Sequence, residues 1–392
     1  MKNKKHKNSN PRKILFVTVN RSDYGIWRPI LKRIIREKFI ESHLVVTGSH
    51  FSKSFGESFK EIKNDSFISN IHKIEYDYHN TTETESMALV TDGIGKLLKK
   101  HSFSSVVVLG DRFEMLAASI AVIPFRVPLI HFHGGSITEG AIDDSFRHAI
   151  TKLSNFHMVE TSDFKKRLIQ LGEQQKNIYV TGAPSLSLLK EIKLKKKKDF
   201  LNTLGFQNIE KYILVTLHSE TTKNEQYNKE MAENFFNELL KIDMDMIVTA
   251  PNPDPNYKKI TEVIDTCRSK YDNKLKYFPH LGHENYFNAM HHCEFLAGNS
   301  SSGIIEAASF RKIVLNVGER QKNRLCGDNV FHSSIFQTSI RKKLKEIQRN
   351  LKNDSFDFKP NLYGKGNAPE TFVRFLNSSN FKYNQKKFQD IK

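Results

Sequence analysis

Apolar residues in this chain gather into short unbroken runs, each closed by a polar turn and followed by apolar residues at helical spacing. The first run spans residues 14–19 and ends at Asn20-Arg21-Ser22-Asp23, after which Ile26, Ile30, Leu31 and Ile34 mark one face of a helix. The unit predicts a strand, a turn and a helix. It recurs with a strand at 44–47 and a helix through 51–62, a strand at 71–76 and a helix through 85–98, and a strand at 106–109 followed by a helix at 113–122. Residues 128–132, 156–159 and 178–181 continue the strands. Runs with no polar alternation suit strands buried on both faces of a parallel sheet.

After Pro184 a lysine-rich stretch interrupts the pattern, and a second set of strands follows at 212–217, 246–248, 276–278, 295–297 and 313–317. Helices are expected between them, among others at 224–240 and 304–309. The economical fold class is α/β with two Rossmann-type domains, residues 13–190 and 205–355. A helix at 366–378 is expected to pack back on the first domain, with a disordered basic N-terminus at 1–12 and a disordered basic tail at 380–392. The 392 residues suffice for two cores.

Charge changes the picture less than its size suggests. The net +18 would point to nucleic acid if it formed a face of the fold. It is confined instead to four segments, 1–13, 190–198, 341–352 and 382–392, which together outweigh it and leave the rest close to neutral. A solvated fringe is the plain reading, so no specific nucleic-acid or membrane partner is expected. No apolar stretch approaches the roughly 18 to 20 residues that cross a bilayer. Cys267, Cys293 and Cys326 are odd in number and lack a C-x-x-C pair, which suits a reducing cytoplasm and suggests neither a disulfide framework nor a zinc knuckle.

Ligands of open parallel sheets bind beyond the carboxyl ends of the strands, so the pattern itself names the loops to inspect. After the first strand, Arg21 stands where helix amides and a guanidinium can receive a phosphate, or where a surface Arg follows a helix cap; neither G-x-G-x-x-G nor a P-loop is present. After the run ending at Leu109 come Gly110, Asp111, Arg112 and Glu114, with Asp111 placed either for acid-base work or to cap the next helix. The loop from His131 to His148 is densest in chemistry: His133-Gly134-Gly135, Ser136, Glu139, then Asp143 and Asp144 opening a helix that carries Arg147 and His148 about one turn later. Acid-base or phosphate-binding chemistry competes there with structural capping. A His-x-His pair with a distant Asp lacks a third ligand at diagnostic spacing, so no metal is assigned.

In the second set, His218 ends one strand and Asn252 follows the next. The turn Gly298-Asn299-Ser300-Ser301-Ser302-Gly303 offers glycine, hydroxyls and amides to a diphosphate, with Glu306 placed to accept ribose hydroxyls and Arg320 as a further phosphate-facing cation. Serine-rich capping and an exposed basic loop are the bland alternatives. No G-x-S-x-G elbow supports a serine hydrolase.

Taken together, Arg21-Ser-Asp-Tyr, Gly110-Asp-Arg-Phe-Glu, His133-Gly-Gly through Asp143-Asp-Ser-Phe-Arg-His-Ala-Ile-Thr-Lys, Gly298-Asn-Ser-Ser-Ser-Gly and Gly318-Glu-Arg-Gln resemble the UDP-N-acetylglucosamine 2-epimerases. The likeness is strongest to the hydrolysing branch that feeds sialic and legionaminic acid synthesis. It implies a GT-B-like fold with an interdomain active-site cleft, a sugar-nucleotide substrate, no cofactor, and a homo-oligomer, dimer or tetramer. It further implies elimination of the nucleoside diphosphate to a 2-acetamidoglycal and then addition of water, giving a free sugar inverted at C2. By position, Asp111 and Asp143 match acidic residues to which the family assigns catalysis, with His133, Glu139 and Arg147 beside them. Arg21, Arg112, His218, Asn252, His280, Ser300, Ser301, Glu306 and Arg320 fall to binding the nucleotide, which is UDP or GDP. The resemblance departs at two places: family members commonly carry a glutamate where this chain has His133, or His-Gly-Gly-Glu where it has Ser136.

Overall fold

The computed structural model describes residues 11–53, 56–68, 70–138, 142–206, 209–252, 254–378 and 383–390. It divides into two compact units, one of residues 1–135, 143–188 and 364–392, the other of residues 136–142 and 189–363.

The first unit contains β1 (Arg12–Thr18), α1 (Arg21–Ile34), β2 (Ile40–Val46), α2 (Phe59–Asn64), β3 (Asn70–Lys73), α3 (Glu83–Lys100), β4 (Ser105–Leu109), α4 (Phe113–Val122), β5 (Leu129–Phe132), α5 (Asp143–Leu153), β6 (Phe156–Val159), α6 (Ser162–Gln170) and β7 (Ile178–Val180). Among the described residues its seven strands are all parallel, in the order β3-β2-β1-β4-β5-β6-β7. The order reverses direction between β1 and β4, so the loops leaving these two strands flank the crevice where such sheets hold ligands.

The second unit contains α7 (Lys197–Thr203), β8 (Tyr212–Thr216), α8 (Glu225–Leu239), β9 (Asp245–Thr249), α9 (Tyr257–Lys270), β10 (Leu275–Phe278), α10 (Gly282–His292), β11 (Phe295–Gly298), α11 (Ser301–Ile305), β12 (Val314–Val317), β13 (Val330–Ser333) and α12 (Gln337–Asn353). Among the described residues its six parallel strands run β10-β9-β8-β11-β12-β13, with the reversal between β8 and β11. The last helix, α13 (Ala368–Ser378), returns to the first unit. There Phe372 meets Phe16 and Phe132 edge to face at ring separations of 6.3 and 5.0 Å, beside Trp27, whose indole N–H donates to the Val17 carbonyl at 2.7 Å. No helix among the described residues is long and apolar enough to cross a membrane.

Two local expectations are corrected. The helix expected through 51–62 is limited to a 3₁₀ turn (Gly48–Phe51) and to α2. His50 explains this: its buried ring bonds the Thr18 hydroxyl at 2.9 Å and the Ser58 hydroxyl at 2.8 Å, fixing the segment sideways against β1. β13 was not anticipated, because a short edge strand with Val330 buried and His332 exposed lacks an apolar run. In the tail, Asn384 accepts from the Asn155 side-chain amide at 3.0 Å, and the Lys386 ammonium bonds the Thr151 carbonyl at 3.1 Å and Glu173 at 2.5 Å. Glu173 is buried beside His157 and is held down to about pKa 2, since His157 and Lys386 outweigh a burial that by itself would raise it.

Candidate active site

In the first unit, the Asn20 side chain accepts from the Asp23 amide at 2.9 Å and so caps α1. Arg21, at the first position of that helix, is ion-paired to Glu61 of α2, which turns its guanidinium toward the protein's own carboxylate. Asp23 lies deeper, and its Oδ2 has no hydrogen bond among the described residues. Burial raises its pKa to about 7 against the pull of Arg112, with Glu114 and Asp111 adding to the rise and the Val19 amide opposing it.

The β4 loop starts at Gly110, whose φ of +74° glycine adopts without strain. His131 on β5 supports this turn. Its Nε2–H donates to the Gly110 carbonyl at 2.8 Å and its Nδ1 accepts from the Thr151 hydroxyl at 3.2 Å. Burial lowers this imidazole to about pKa 3, so it stays neutral and structural. Arg112 stands at the N-cap position of α4 without a side-chain capping bond, and reaches Glu114 at 3.2 Å and the Tyr78 hydroxyl at 3.5 Å.

Arg147 projects from α5, is 3% exposed, and is ion-paired to Asp111 and, at 2.5 Å, to Asp144. Burial works against its charge, but these carboxylates outweigh it and raise its pKa above the ordinary arginine value. Asp144 is therefore the α5 carboxylate that holds Arg147, while Asp143 is the first residue of the helix. His148 stands 3.5 Å from Asp144. His133, just past β5, has a left-handed backbone with φ +68°, and its Nε2 lies 3.8 Å from Glu160 at the end of β6. Glu139 lies outside the described residues.

In the second unit the switch point is built by backbone and amide bonds. The His218 amide donates to Asn299 Oδ1 at 2.7 Å, and Asn299 Nδ2 returns a bond to the His218 carbonyl at 2.9 Å. His218 Nδ1 accepts from the Asn252 amide at 2.9 Å, so the neutral ring carries its proton on Nε2. Burial, with Arg320 adding, lowers His218 well below the ordinary imidazole value. Glu220 accepts from the amides of Glu319 at 2.6 Å and Arg320 at 3.3 Å, clamping the β12 loop to the β8 loop. Arg320 also reaches Asp254 at 3.4 Å. Ser300 caps α11, Ser301 opens it, and Ser302 bonds the Tyr286 hydroxyl at 2.5 Å. Glu306 is 6% exposed at the end of α11, and His280 is exposed two residues past β10.

The strand ends thus bring together Asp111, Arg112 and Arg147 in one unit, and His218, Asn252, Ser300 and Arg320 around the switch point of the other. The sequence names Asp23, Asp144 and Asn299 only as members of their loops, with no role of their own, and does not single out Glu160 or Glu220. Glu160 directly follows β6, and that position is the signal available for it. Among the described residues no three His, Cys, Asp or Glu converge as metal ligands.

Comparison with known proteins covers both units. A protein of Legionella pneumophila described as a UDP-N,N'-diacetylbacillosamine 2-epimerase (hydrolyzing) is 33% identical over 93% of this chain and 95% of its own length. A protein of Campylobacter jejuni described as a GDP/UDP-N,N'-diacetylbacillosamine 2-epimerase (hydrolyzing) is also 33% identical, over 83% and 85%. In fold, the UDP-GlcNAc 2-epimerase of Neisseria meningitidis, solved bound to UDP-GlcNAc, matches with a TM-score of 0.79 at 18% identity, covering 94% of this chain and 100% of that one. The profile of the UDP-N-acetylglucosamine 2-epimerase family runs through residues 32–377, from within α1 to within α13. With every strand but β1 and every strand-end loop but the first inside that span, the chain belongs to the UDP-N-acetylglucosamine 2-epimerase family.

Proposed function

We propose that this protein is a hydrolysing 2-epimerase of a nucleotide-linked 2-acetamido sugar, UDP-N-acetylglucosamine or a 2,4-diacetamido-2,4,6-trideoxy analogue on UDP or GDP. The products are the nucleoside diphosphate and a free sugar of N-acetylmannosamine type, a precursor for sialic- or legionaminic-type acids of the cell surface. The observation that carries the reading is the buried Arg147 of α5, which pairs with Asp111 in the loop after β4 and with Asp144, in a chain that places His133 just past β5 and is 33% identical to hydrolysing 2-epimerases.

The chemistry needs proton-transfer groups near C2 and fixed positive charge for the departing diphosphate. In the first step the C2–H bond breaks and its electrons form a C1–C2 double bond, while the C1–O bond leaves with its pair on the diphosphate. In the second, water adds its hydroxyl at C1 and a proton at C2 on the opposite face. His133 and Asp111 serve as the two proton-transfer groups, Asp143 lies at the head of the same helix as Arg147, and Arg147 supplies fixed charge. His218 Nε2–H, the Asn252 loop, Ser300, Ser301 and Arg320 bind phosphates and nucleoside, with Glu306 on the ribose. The three cysteines are free, which fits a cytoplasmic setting, and a homo-oligomer is the expected assembly.

Incubation in deuterated buffer with a panel of UDP- and GDP-linked N-acetyl sugars, followed by NMR, tests this. The expected result is nucleoside diphosphate and a manno-configured free sugar deuterated at C2. Diphosphate release without C2 exchange rejects epimerisation, and a product that keeps its nucleotide makes the enzyme non-hydrolysing.

A further inference from the structure

Glu160 follows β6, is 2% exposed, and neither of its oxygens has a hydrogen bond among the described residues. A carboxylate buried this way is costly unless positive charge lies close by. The groups that face it are His133, whose Nε2 is 3.8 Å from Oε1, and Arg147, whose charge Glu160 helps to hold.

The backbone is shaped to make this approach. Phe132 on β5 is in register with Met158 on β6, and the His133 amide donates to the Met158 carbonyl at 3.2 Å, so His133 and Glu160 leave adjacent strands side by side. His133 accepts a φ of +68°, a conformation that side-chain-bearing residues adopt at a cost and that clusters at functional sites. The turn behind it is tight, because a Cβ on Gly135 would lie 2.6 Å from the Phe164 carbonyl. Strain and packing together set the ring beside the buried carboxylate. The loop itself carries no carboxylate at 133 or 136.

Resting on the reading above, we propose that Glu160 is a positioning residue that acts through His133. The carboxylate accepts the Nε2–H and fixes the tautomer, so that Nδ1 is the basic nitrogen offered at C2. When the C2–H bond breaks and its proton passes to Nδ1, Glu160 balances the imidazolium; Nδ1 then returns that proton to solvent. At 3.8 Å the carboxylate already biases the ring in the free enzyme, and the contact tightens to a hydrogen bond in the substrate complex, as catalytic contacts commonly do.

The test uses the full-length enzyme with Glu160→Gln, Glu160→Asp, His133→Gln and the double variant Glu160→Gln/His133→Gln. Glu160→Gln is expected to lower kcat about 100-fold with KM within about threefold, and to move the pH-rate limb of His133 toward acid by about one unit, the loss of a neighbouring negative charge. Glu160→Asp recovers part of the rate, and Glu160→Gln costs nothing further once His133 is Gln. Wild-type kcat and pH profile in Glu160→Gln, or fully multiplicative losses in the double variant, overturn the proposal. Nitrogen-15 NMR of the His133 ring separates this outcome from failure of the functional reading. Even in an enzyme that turns over none of the sugars, the Nε2–H tautomer and a downward imidazole shift in Glu160→Gln must appear, and an unchanged ring in that variant overturns the pairing.

Discussion

Asp111 and Arg147 meet side chain to side chain across 36 positions of sequence, tying the β4 loop to the second turn of α5. Removing the charge and removing its partner therefore have different consequences. Asp111→Asn keeps the shape and is expected to lower kcat at least 100-fold with little change in melting temperature. Arg147→Ala takes a shared cation from two partly exposed carboxylates and empties a buried site, and is expected to destabilise by about 1–3 kcal/mol, the usual cost of removing one partner of a hydrogen-bonded pair. Initial rates and urea melts of both variants decide. A near-normal rate in Asp111→Asn takes Asp111 out of the chemistry.

His218 is expected to act as a neutral donor. Its Nδ1 is occupied by the Asn252 amide and its charged form is disfavoured by burial and Arg320. UDP affinity, measured by titration calorimetry, is then the same at pH 6 and pH 8 as far as His218 contributes, and His218→Ala weakens it about tenfold or more. Protonation of His218 in that range, seen by NMR, contradicts the assignment.

Two glycines at strand ends separate close packing from strain alone. At Gly298 a Cβ would lie 1.9 Å from the Thr216 carbonyl, with φ at +135°. At Gly110 φ is +74° but a Cβ would meet nothing within 4 Å. Gly298→Ala is expected to abolish soluble expression or cost more than about 4 kcal/mol, a size reserved for such severe clashes. Gly110→Ala should cost only about 1–2 kcal/mol of left-handed strain. Comparable melting temperatures for the two would mean that β11 can move away from β8.

Asp23 links stability to pH. Its carboxyl rises from 3.8 to about 7 on folding, chiefly through burial, so the folded state holds the proton more tightly than the unfolded chain. The stabilisation is fully present below about pH 4 and is lost as pH climbs through 7. Asp23→Asn is expected to raise the melting temperature at pH 8 far more than at pH 5, by at most roughly 4 kcal/mol of free energy if the whole shift is expressed. Equal effects at the two pH values would falsify the linkage.

The sequence by itself determined the alternation of strands and helices, and with it the strand-end loops that hold Asp111, His133, His218 and Ser300. Each of these signals is local: an apolar run, a turn residue and a helical period lie within about fifteen residues and need no distant partner. What a side chain does once placed there is a matter of proximity between segments that the chain order keeps apart. Arg21 offers a guanidinium in the sequence, and only the fold pairs it with Glu61. Either Asp143 or Asp144 suits Arg147 by spacing, and the structure pairs Asp144. Lys386 reads as one more charge in a solvated tail until buried Glu173 is seen to need it. Glu160 carries no motif of its own and gains significance only because β6 lies beside β5, where a buried carboxylate must find its positive charge in whatever the neighbouring strand supplies.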